Sequence, residues 1–162
     1  MLDHAFSEQE MKNLLNKMQN DRKNPFALDY WDEKKKNPFE WCVVFIAPED
    51  SIYAGGYFKV KIKLNNYPLS RPSFYFRTKI YHLNINSSDG KACCEVINKK
   101  DIRDYLDAIY LMFYFEDDNS TYNYKKIYQK DINEYKKNVK EWVIKYASLD
   151  NFEENKPDEF VD

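Results

Sequence analysis

Glycine is scarce in this chain of 162 residues, which contains only Gly55, Gly56 and Gly90. Soluble proteins have glycine at about 7% of positions. A chain with so little is expected to keep it where the backbone needs a left-handed or otherwise unusual conformation. The three glycines therefore mark the places where we predict tight turns.

Long apolar runs and an excess of one charge are also missing. No apolar run approaches the roughly 18 residues of a membrane span, and the N-terminal sequence lacks the charged and apolar regions of a signal peptide. The chain has 25 basic and 27 acidic residues, a net charge of −2, so no overall field attracts nucleic acid or an anionic membrane. We expect a cytoplasmic or nuclear protein that binds neither.

Cysteine is infrequent too, with Cys42, Cys93 and Cys94 as the only three. They form no disulfide framework and have no zinc-binding spacing, so we expect reduced thiols, no metal and no cofactor. A strained disulfide between the adjacent pair, acting as a redox switch, is an alternative that a reducing compartment disfavours.

The first half of the chain has the pattern of one helix followed by strands. Ser7 and Glu10 form a capping box, and apolar residues at helical spacing carry that helix to about Asn20. Strand-like segments follow at about residues 28–31, 41–46, 57–64 and 73–80. In the third segment apolar residues alternate with Tyr57 and three lysines, which predicts a half-buried antiparallel strand whose lysines face water.

The second half has helical periodicity. Asp101 can cap a helix that reaches Phe113, and a last helix is predicted to carry one apolar stripe from Tyr128 to Tyr146. This order predicts an α+β fold: an N-terminal helix, a four-stranded antiparallel meander, an active-site loop and C-terminal helices. We expect a domain over residues 1–148 and an acidic, frayed tail over 149–162.

The loop from residue 81 to residue 97 interrupts the periodicity and concentrates reactive side chains. It contains His82, Gly90, Cys93 and Cys94. A cysteine shortly after a glycine in a loop can be an exposed nucleophile, although a small apolar residue packed under the loop explains it equally well. His82 is too close in sequence to favour a papain-like pair.

Short motifs stand in this region and around it, at Trp41 and at residues 48–56, 67–69, 71–72, 78–85, 90–97 and 141–147. Together they resemble the core of the ubiquitin-conjugating enzymes. That family reads Tyr-x-Gly-Gly-x-Phe, Tyr-Pro-Phe, Pro-Pro, Tyr-His-Pro-Asn-Ile and then Gly-x-Ile/Val-Cys. The resemblance covers roughly residues 5–147, with the motifs in the family's order.

The resemblance assigns roles to individual residues. It implies that Cys93 forms a thioester with ubiquitin or a related modifier, taken from an activating enzyme and passed to a substrate lysine or a ligase cysteine. It implies that Asn84 stabilises the oxyanion or holds the loop, and that His82 is structural. Asp117 and Asp118 are candidates for activating the acceptor lysine, although solvated acids after a helix explain them as well.

Other positions follow from the same resemblance. Gly90 would set the bend that presents the nucleophile, and Cys94 falls at a leucine position beside it. Leu69 stands where a ubiquitin ligase docks in the family. Three departures are visible: Leu83 replaces a proline, one extra residue lies between Asn84 and Cys93, and the segment after Ile97 is about five residues short. We expect atypical ligase choice.

Two functions are compatible with these motifs. One is an active conjugating enzyme that works with ubiquitin or a ubiquitin-like protein, an activating enzyme and a ubiquitin ligase. The other is a catalytically inactive variant that binds ubiquitin or a partner. Because inactive variants generally lack the cysteine and Cys93 is present, we favour the enzyme.

Overall fold

The computed structural model describes residues 4–21, 23, 25–93, 101–119 and 121–153. Within these ranges the chain forms four helices and four strands. In chain order they are α1 (Glu8–Gln19), β1 (Ala27–Tyr30), β2 (Glu40–Ile46), β3 (Tyr57–Lys63), β4 (Ser73–Phe76), α2 (Ile102–Leu111), α3 (Lys125–Lys130) and α4 (Ile132–Tyr146).

The four strands form one antiparallel meander in the order β1-β2-β3-β4. Phe45 of β2 lies opposite Phe58 of β3, and Val60 of β3 lies opposite Phe76 of β4. All four of these side chains are buried, so the register puts the apolar residues of neighbouring strands on one inner face. The helices follow or precede the sheet in sequence, and the predicted α+β fold is confirmed.

The first helix follows its sequence signals closely. The Ser7 hydroxyl accepts from the Glu10 amide, and the Glu10 carboxylate accepts from the Ser7 amide. Met11, Leu15 and Met18 are buried in the core. Capping of α2 by Asp101 is likewise present, since its side chain accepts from the amide of Asp104. Both N-terminal caps are therefore built as the sequence predicts.

The single last helix predicted from residue 128 onward is wrong, because two helices meet at Asp131. The backbone of Asp131 is not helical, with φ −149° and ψ 84°, and its side chain accepts from the amide of Glu134 to cap α4. A side chain that satisfies the free amides of a new helix stabilises a break at that residue. The apolar stripe continues through Tyr135, Val139 and Val143, all buried.

One lysine of β3 does not face water as predicted. Lys61 is only 5% exposed. Its ammonium lies 3.4 Å from the Glu40 carboxylate and 5.4 Å from the centre of the Trp31 ring. The long aliphatic stem of lysine can be buried when the charged end has a carboxylate and an aromatic ring as neighbours.

Two glycines occupy backbone conformations that other residues adopt only with strain. Gly55 has φ +85° and Gly90 has φ +74°. A left-handed conformation costs a residue with a side chain roughly 1–2 kcal/mol. Tight turns at these two positions therefore explain why this chain retains them.

The described chain continues beyond the end of α4. Phe152 packs against Tyr57 with ring centres 5.7 Å apart, and its carbonyl accepts from the Thr78 hydroxyl at 2.9 Å. The domain boundary predicted at residue 148 stays a prediction, and residues 154–162 of the predicted tail lie outside the described ranges. Among the described helices, none is long and apolar enough to cross a membrane.

Candidate active site

The candidate loop is a hairpin held against the edge of the sheet. Ile85 and Ala92 form an antiparallel bridge across it, and Lys91 forms another with Tyr75 of β4. Gly90 closes the turn by donating to the Asn86 carbonyl at 2.8 Å. The extra residue expected between Asn84 and Cys93 is therefore accommodated in a turn whose two ends stay paired.

This pairing brings the two principal candidate residues together. The amide of Cys93 donates to the carbonyl of Asn84 at 2.8 Å. Cys93 is 7% exposed and Asn84 is 2% exposed. The backbones of the two residues are therefore hydrogen-bonded to each other at a site that is almost completely shielded from solvent. Residues 94–100, which include Cys94 and the shortened segment after Ile97, lie outside the described residues.

The side chain of Asn84 is clamped to the backbone of a later loop. Its Nδ2 donates to the carbonyl of Asp117 at 2.7 Å, and its Oδ1 accepts from the amide of Asp117 at 2.8 Å. A side-chain amide that satisfies both backbone groups of one residue fixes that residue in position and orientation. The Cys93 and Asp117 segments are thus connected through a single asparagine.

His82 is fully buried, and both of its ring nitrogens have partners. Nδ1 accepts from the amide of Asn84 at 3.0 Å, and Nε2 lies 2.7 Å from the carbonyl of Met112. This arrangement requires a neutral ring, with the proton on Nε2. Burial lowers the pKa of His82 and outweighs the opposing effects of the Glu116 charge and the Met112 carbonyl. His82 thus connects the Asn84 amide to the carbonyl that follows α2, and the structural role that the resemblance implies stays a prediction.

A cluster around Glu116 supports the same loop and was not predicted from the sequence. The Tyr53 hydroxyl oxygen lies 2.9 Å from Glu116 Oε1 and 2.6 Å from the carbonyl oxygen of Tyr81, and the Tyr135 hydroxyl donates to Glu116 Oε2. Burial and then the Glu116 charge raise the pKa of both Tyr53 and Tyr135. Both phenols therefore stay neutral donors over the physiological pH range.

The cluster also explains the replacement of the family proline by Leu83. The amide of Leu83 lies 3.4 Å from Glu116 Oε2, and a proline has no N–H to donate there. The Leu83 carbonyl accepts from the amide of Tyr122 at 2.9 Å, and its side chain is fully buried. Leu83 thus gives the loop a contact with Glu116 that a proline could not make.

The remaining candidates lie in different environments. Asp117 is half-buried, and its Oδ1 accepts from the Asn119 amide at 2.9 Å. Asp118 is half-buried, and its charge contributes, after burial and Glu116, to raising the pKa of Tyr128. Leu69 is 61% exposed. The structure joins Asp117 to the Asn84 and Cys93 pair, whereas Leu69 is a separate surface feature.

Comparisons with known proteins agree with this geometry. A family model described as ubiquitin-conjugating enzyme matches residues 7–143. The chain is 33% identical over 117 residues to Ubiquitin-conjugating enzyme E2-23 kDa of Triticum aestivum, an alignment that spans 67% of this chain and 64% of that protein. It is 46% identical over 61 residues to Ubiquitin-conjugating enzyme E2 5 of Arabidopsis thaliana, spanning 37% of this chain and 33% of that one.

The fold has a solved counterpart as well. The crystal structure of a candidate ubiquitin conjugating enzyme from Plasmodium yoelii superposes with a TM-score of 0.76 at 26% identity, covering 88% of this chain and 97% of that one. The chain thus spans less than two thirds of the curated relatives given above and nearly all of the solved one. The family match extends from the first helix into the last, across the sheet and the hairpin, and the chain belongs to the ubiquitin-conjugating enzyme family.

Proposed function

We propose that this chain is an active conjugating enzyme with Cys93 as its nucleophile. The Cys93 thiolate attacks the carbonyl carbon of the thioester that joins a modifier to the activating enzyme; a new C–S bond forms, and the activating enzyme's cysteine leaves as a thiolate. A substrate amine or a ligase thiolate then attacks the Cys93 thioester and expels the Cys93 thiolate, the amine losing one proton. The modifier is ubiquitin or a ubiquitin-like protein.

One observation carries this proposal. The Cys93 amide donates to the backbone carbonyl of Asn84, and the side chain of Asn84 bonds to the backbone of Asp117. A cysteine, a side-chain amide and an acidic loop are thereby held together, and acyl transfer through a tetrahedral intermediate uses these groups. The presence of the cysteine within this arrangement disfavours the inactive binding variant.

Asn84 acts in this proposal mainly by positioning the loop. Its side-chain oxygen and one of its two N–H groups bond to the backbone of Asp117, so an oxyanion would have to accept from the second N–H or displace one of these contacts. Asp117 is part of that clamp and Asp118 follows it in sequence, and either carboxylate can accept the proton that the attacking lysine loses. Comparing Asp117→Asn with Asp118→Asn in lysine discharge tests which of them acts.

Partner recognition is proposed from the same features. We expect ligase contact at Leu69, because a large apolar side chain that is 61% exposed is available for docking. A reactive thiol is preserved in a reducing compartment, which supports a cytoplasmic or nuclear location. A Leu69→Ala variant should keep thioester formation and lose ligase-stimulated discharge; unchanged stimulation would contradict the assignment.

The decisive experiment is thioester formation. The full chain is incubated with activating enzyme, ATP and ubiquitin, or a related modifier, and separated on a non-reducing gel. We expect an adduct that a thiol reagent removes, that Cys93→Ala abolishes and that Cys93→Ser converts to a thiol-stable ester. Cys94→Ala is the matched control and should keep the adduct.

Two results would contradict the proposal. An adduct that survives in Cys93→Ala and disappears in Cys94→Ala would move the nucleophile to the next residue. No adduct with ubiquitin or any related modifier, from a protein with a native unfolding transition, would support the inactive variant instead.

A further inference from the structure

The segment between α2 and α3 carries both candidate acids and contacts the hairpin near two of its points. We call its described residues from Asp117 onward, 117–119 and 121–124, the acid loop. The Asn84 side chain holds the first of them, Asp117, by two hydrogen bonds. Near the other end the amide of Tyr122 donates to the carbonyl of Leu83 at 2.9 Å. Whatever fixes this far end therefore restricts where the carboxylates of the loop lie.

The side chain of Asn123 joins the far end to the hairpin by two further hydrogen bonds. Its Nδ2 donates to the carbonyl of His82 at 3.0 Å, and its Oδ1 accepts from the amide of Ser87 at 3.0 Å. Because these partners lie on either side of Asn84 in sequence, one planar amide spans the part of the hairpin that contains it. Asn84 binds the backbone of the acid loop and Asn123 binds the backbone of the hairpin, so the two segments hold each other reciprocally.

Contacts on both sides of Asn123 fix its own position. Tyr122 precedes it and is bonded to the hairpin. Tyr124 follows it in a left-handed conformation, with φ 63° and ψ 9°, and its ring stacks on that of Tyr81 with ring centres 3.8 Å apart. A residue with a side chain is uncommon in this conformation and keeps it where the surrounding contacts hold it. Anchored neighbours thus present the Asn123 amide to the hairpin.

This second attachment matters for the reaction because the hairpin also carries the thiol. The Cys93 amide donates to the carbonyl of Asn84, so the same few residues hold the acid loop and the nucleophile. Without the Asn123 side chain the far end loses two of the three hydrogen bonds described above, and the acids can move relative to Cys93. A shift of about 1 Å caused by a change remote from the chemistry can lower a rate about hundredfold.

We propose that Asn123 is a positioning residue for transfer to lysine, which holds the carboxylates of Asp117 and Asp118 within reach of the amine that attacks at Cys93. This inference rests on the proposed function. The lysine ammonium gives one proton to a carboxylate, and the neutral amine attacks the thioester carbonyl carbon. A C–N bond forms, the C–S bond breaks, Cys93 leaves as a thiolate, and the second proton that the nitrogen loses passes to solvent. Formation of the thioester does not use the acids.

The test measures discharge of the purified Cys93 thioester to two amines, lysine and hydroxylamine. Lysine has an ordinary pKa of about 10.4 and must lose a proton before it attacks, whereas hydroxylamine is already neutral at neutral pH. We expect Asn123→Ala to form the thioester normally, to discharge to lysine about ten- to hundredfold more slowly and to discharge to hydroxylamine at nearly the unmodified rate. The lysine deficit should shrink as the pH rises toward the pKa of lysine.

A second comparison asks whether Asn123 acts through the acids. In a background with Asp117→Asn and Asp118→Asn, the further change Asn123→Ala should slow lysine discharge by less than about twofold, because residues that act as a unit give non-additive effects. The matched control is Asn138→Ala. Asn138 is also half-buried, but its Nδ2 donates to the Tyr81 hydroxyl at 3.3 Å, so this variant should keep the lysine to hydroxylamine ratio of the unmodified chain.

Rates are measured on chains that already carry the thioester, so a fraction that fails to fold does not enter them. The inference is overturned if Asn123→Ala discharges to lysine at the unmodified rate, if both amines are slowed equally, or if Asn138→Ala changes the ratio as much. An undiminished effect of Asn123→Ala in the background without the two carboxylates overturns it as well. Failure of the unmodified chain to form a thioester would instead refute the proposed function, and this inference with it.

Discussion

Removal of one hydroxyl group, by Tyr135→Phe, tests whether the cluster around Glu116 supports the candidate site. The ring of Tyr135 is fully buried and keeps its packing in phenylalanine. What is lost is the donor to Glu116 Oε2. Among the described residues, the other contact of that oxygen is the Leu83 amide at 3.4 Å, which is near the limit of a hydrogen bond.

The size of the effect follows from these contacts. A hydrogen bond to a charged group contributes about 1.5–3 kcal/mol to stability. For a domain of this size a loss of about 2 kcal/mol lowers the melting temperature by roughly 4–8 °C. We therefore expect Tyr135→Phe to unfold several degrees earlier than the unmodified protein in calorimetry or circular dichroism.

Tyr146→Phe is the matched control, because Tyr146 lies on the same helix and is half-buried. Its variant should stay within about 0.5 kcal/mol of the unmodified protein. Adding Tyr53→Phe to Tyr135→Phe should give a non-additive loss, with a coupling of about 0.5–3 kcal/mol, since both phenols contact one carboxylate. Equal effects of the two α4 variants, or strict additivity of the Tyr53 and Tyr135 changes, would refute the reasoning.

Three further outcomes are expected. Burial holds the pKa of His82 below its unfolded value near 6.5, so the contribution of neutral His82 to the free energy of unfolding is complete above about pH 6.5 and is lost as the pH falls below that. Urea unfolding from about pH 8 to about pH 5 should show this loss of stability, and the His82→Gln variant should not show it. Asn84→Ala should lower the free energy of unfolding by about 1–3 kcal/mol and reduce both thioester formation and lysine discharge. A fall of about 10²–10³ in the rate of discharge alone, at unchanged stability, would instead assign Asn84 an oxyanion role. Gly90→Ala should cost about 1–2 kcal/mol in denaturant unfolding because of its positive φ, and Gly90→Asn less; equal stability of all three proteins would contradict this.

Local patterns predicted the elements whose stability depends on nearby residues. The capping box of Ser7 and the alternation in β3 each depend on residues a few positions apart, and the structure follows both except at Lys61. The break at Asp131 was also visible in principle, since a capping aspartate precedes Glu134 by three residues. An apolar stripe concealed it, because the partly buried Ile127 and Tyr128 of α3 pack against the same core as the buried residues of α4.

Long-range contacts explain what sequence reasoning missed. Tyr53 and Glu116 are 63 positions apart and meet only in the folded chain, so no spacing rule connects them. The burial of Lys61 likewise depends on Trp31, a residue of a different strand region. Motif resemblance proposed Cys93 and Asn84, and their connection through a backbone hydrogen bond became visible only in three dimensions.

The pairing of the hairpin at its base has a consequence for how the loop can vary. Ile85 and Ala92 are bridged, the Phe76 amide donates to the Gly90 carbonyl at 2.7 Å, and Ser87 and Ser88 at the tip are exposed. Length at the tip is thereby uncoupled from the separation of Asn84 and Cys93. Insertions between residues 87 and 88 should be tolerated in evolution and in engineering, and a peptide tag placed there would report on bound partners while the reactive end of the hairpin keeps its geometry.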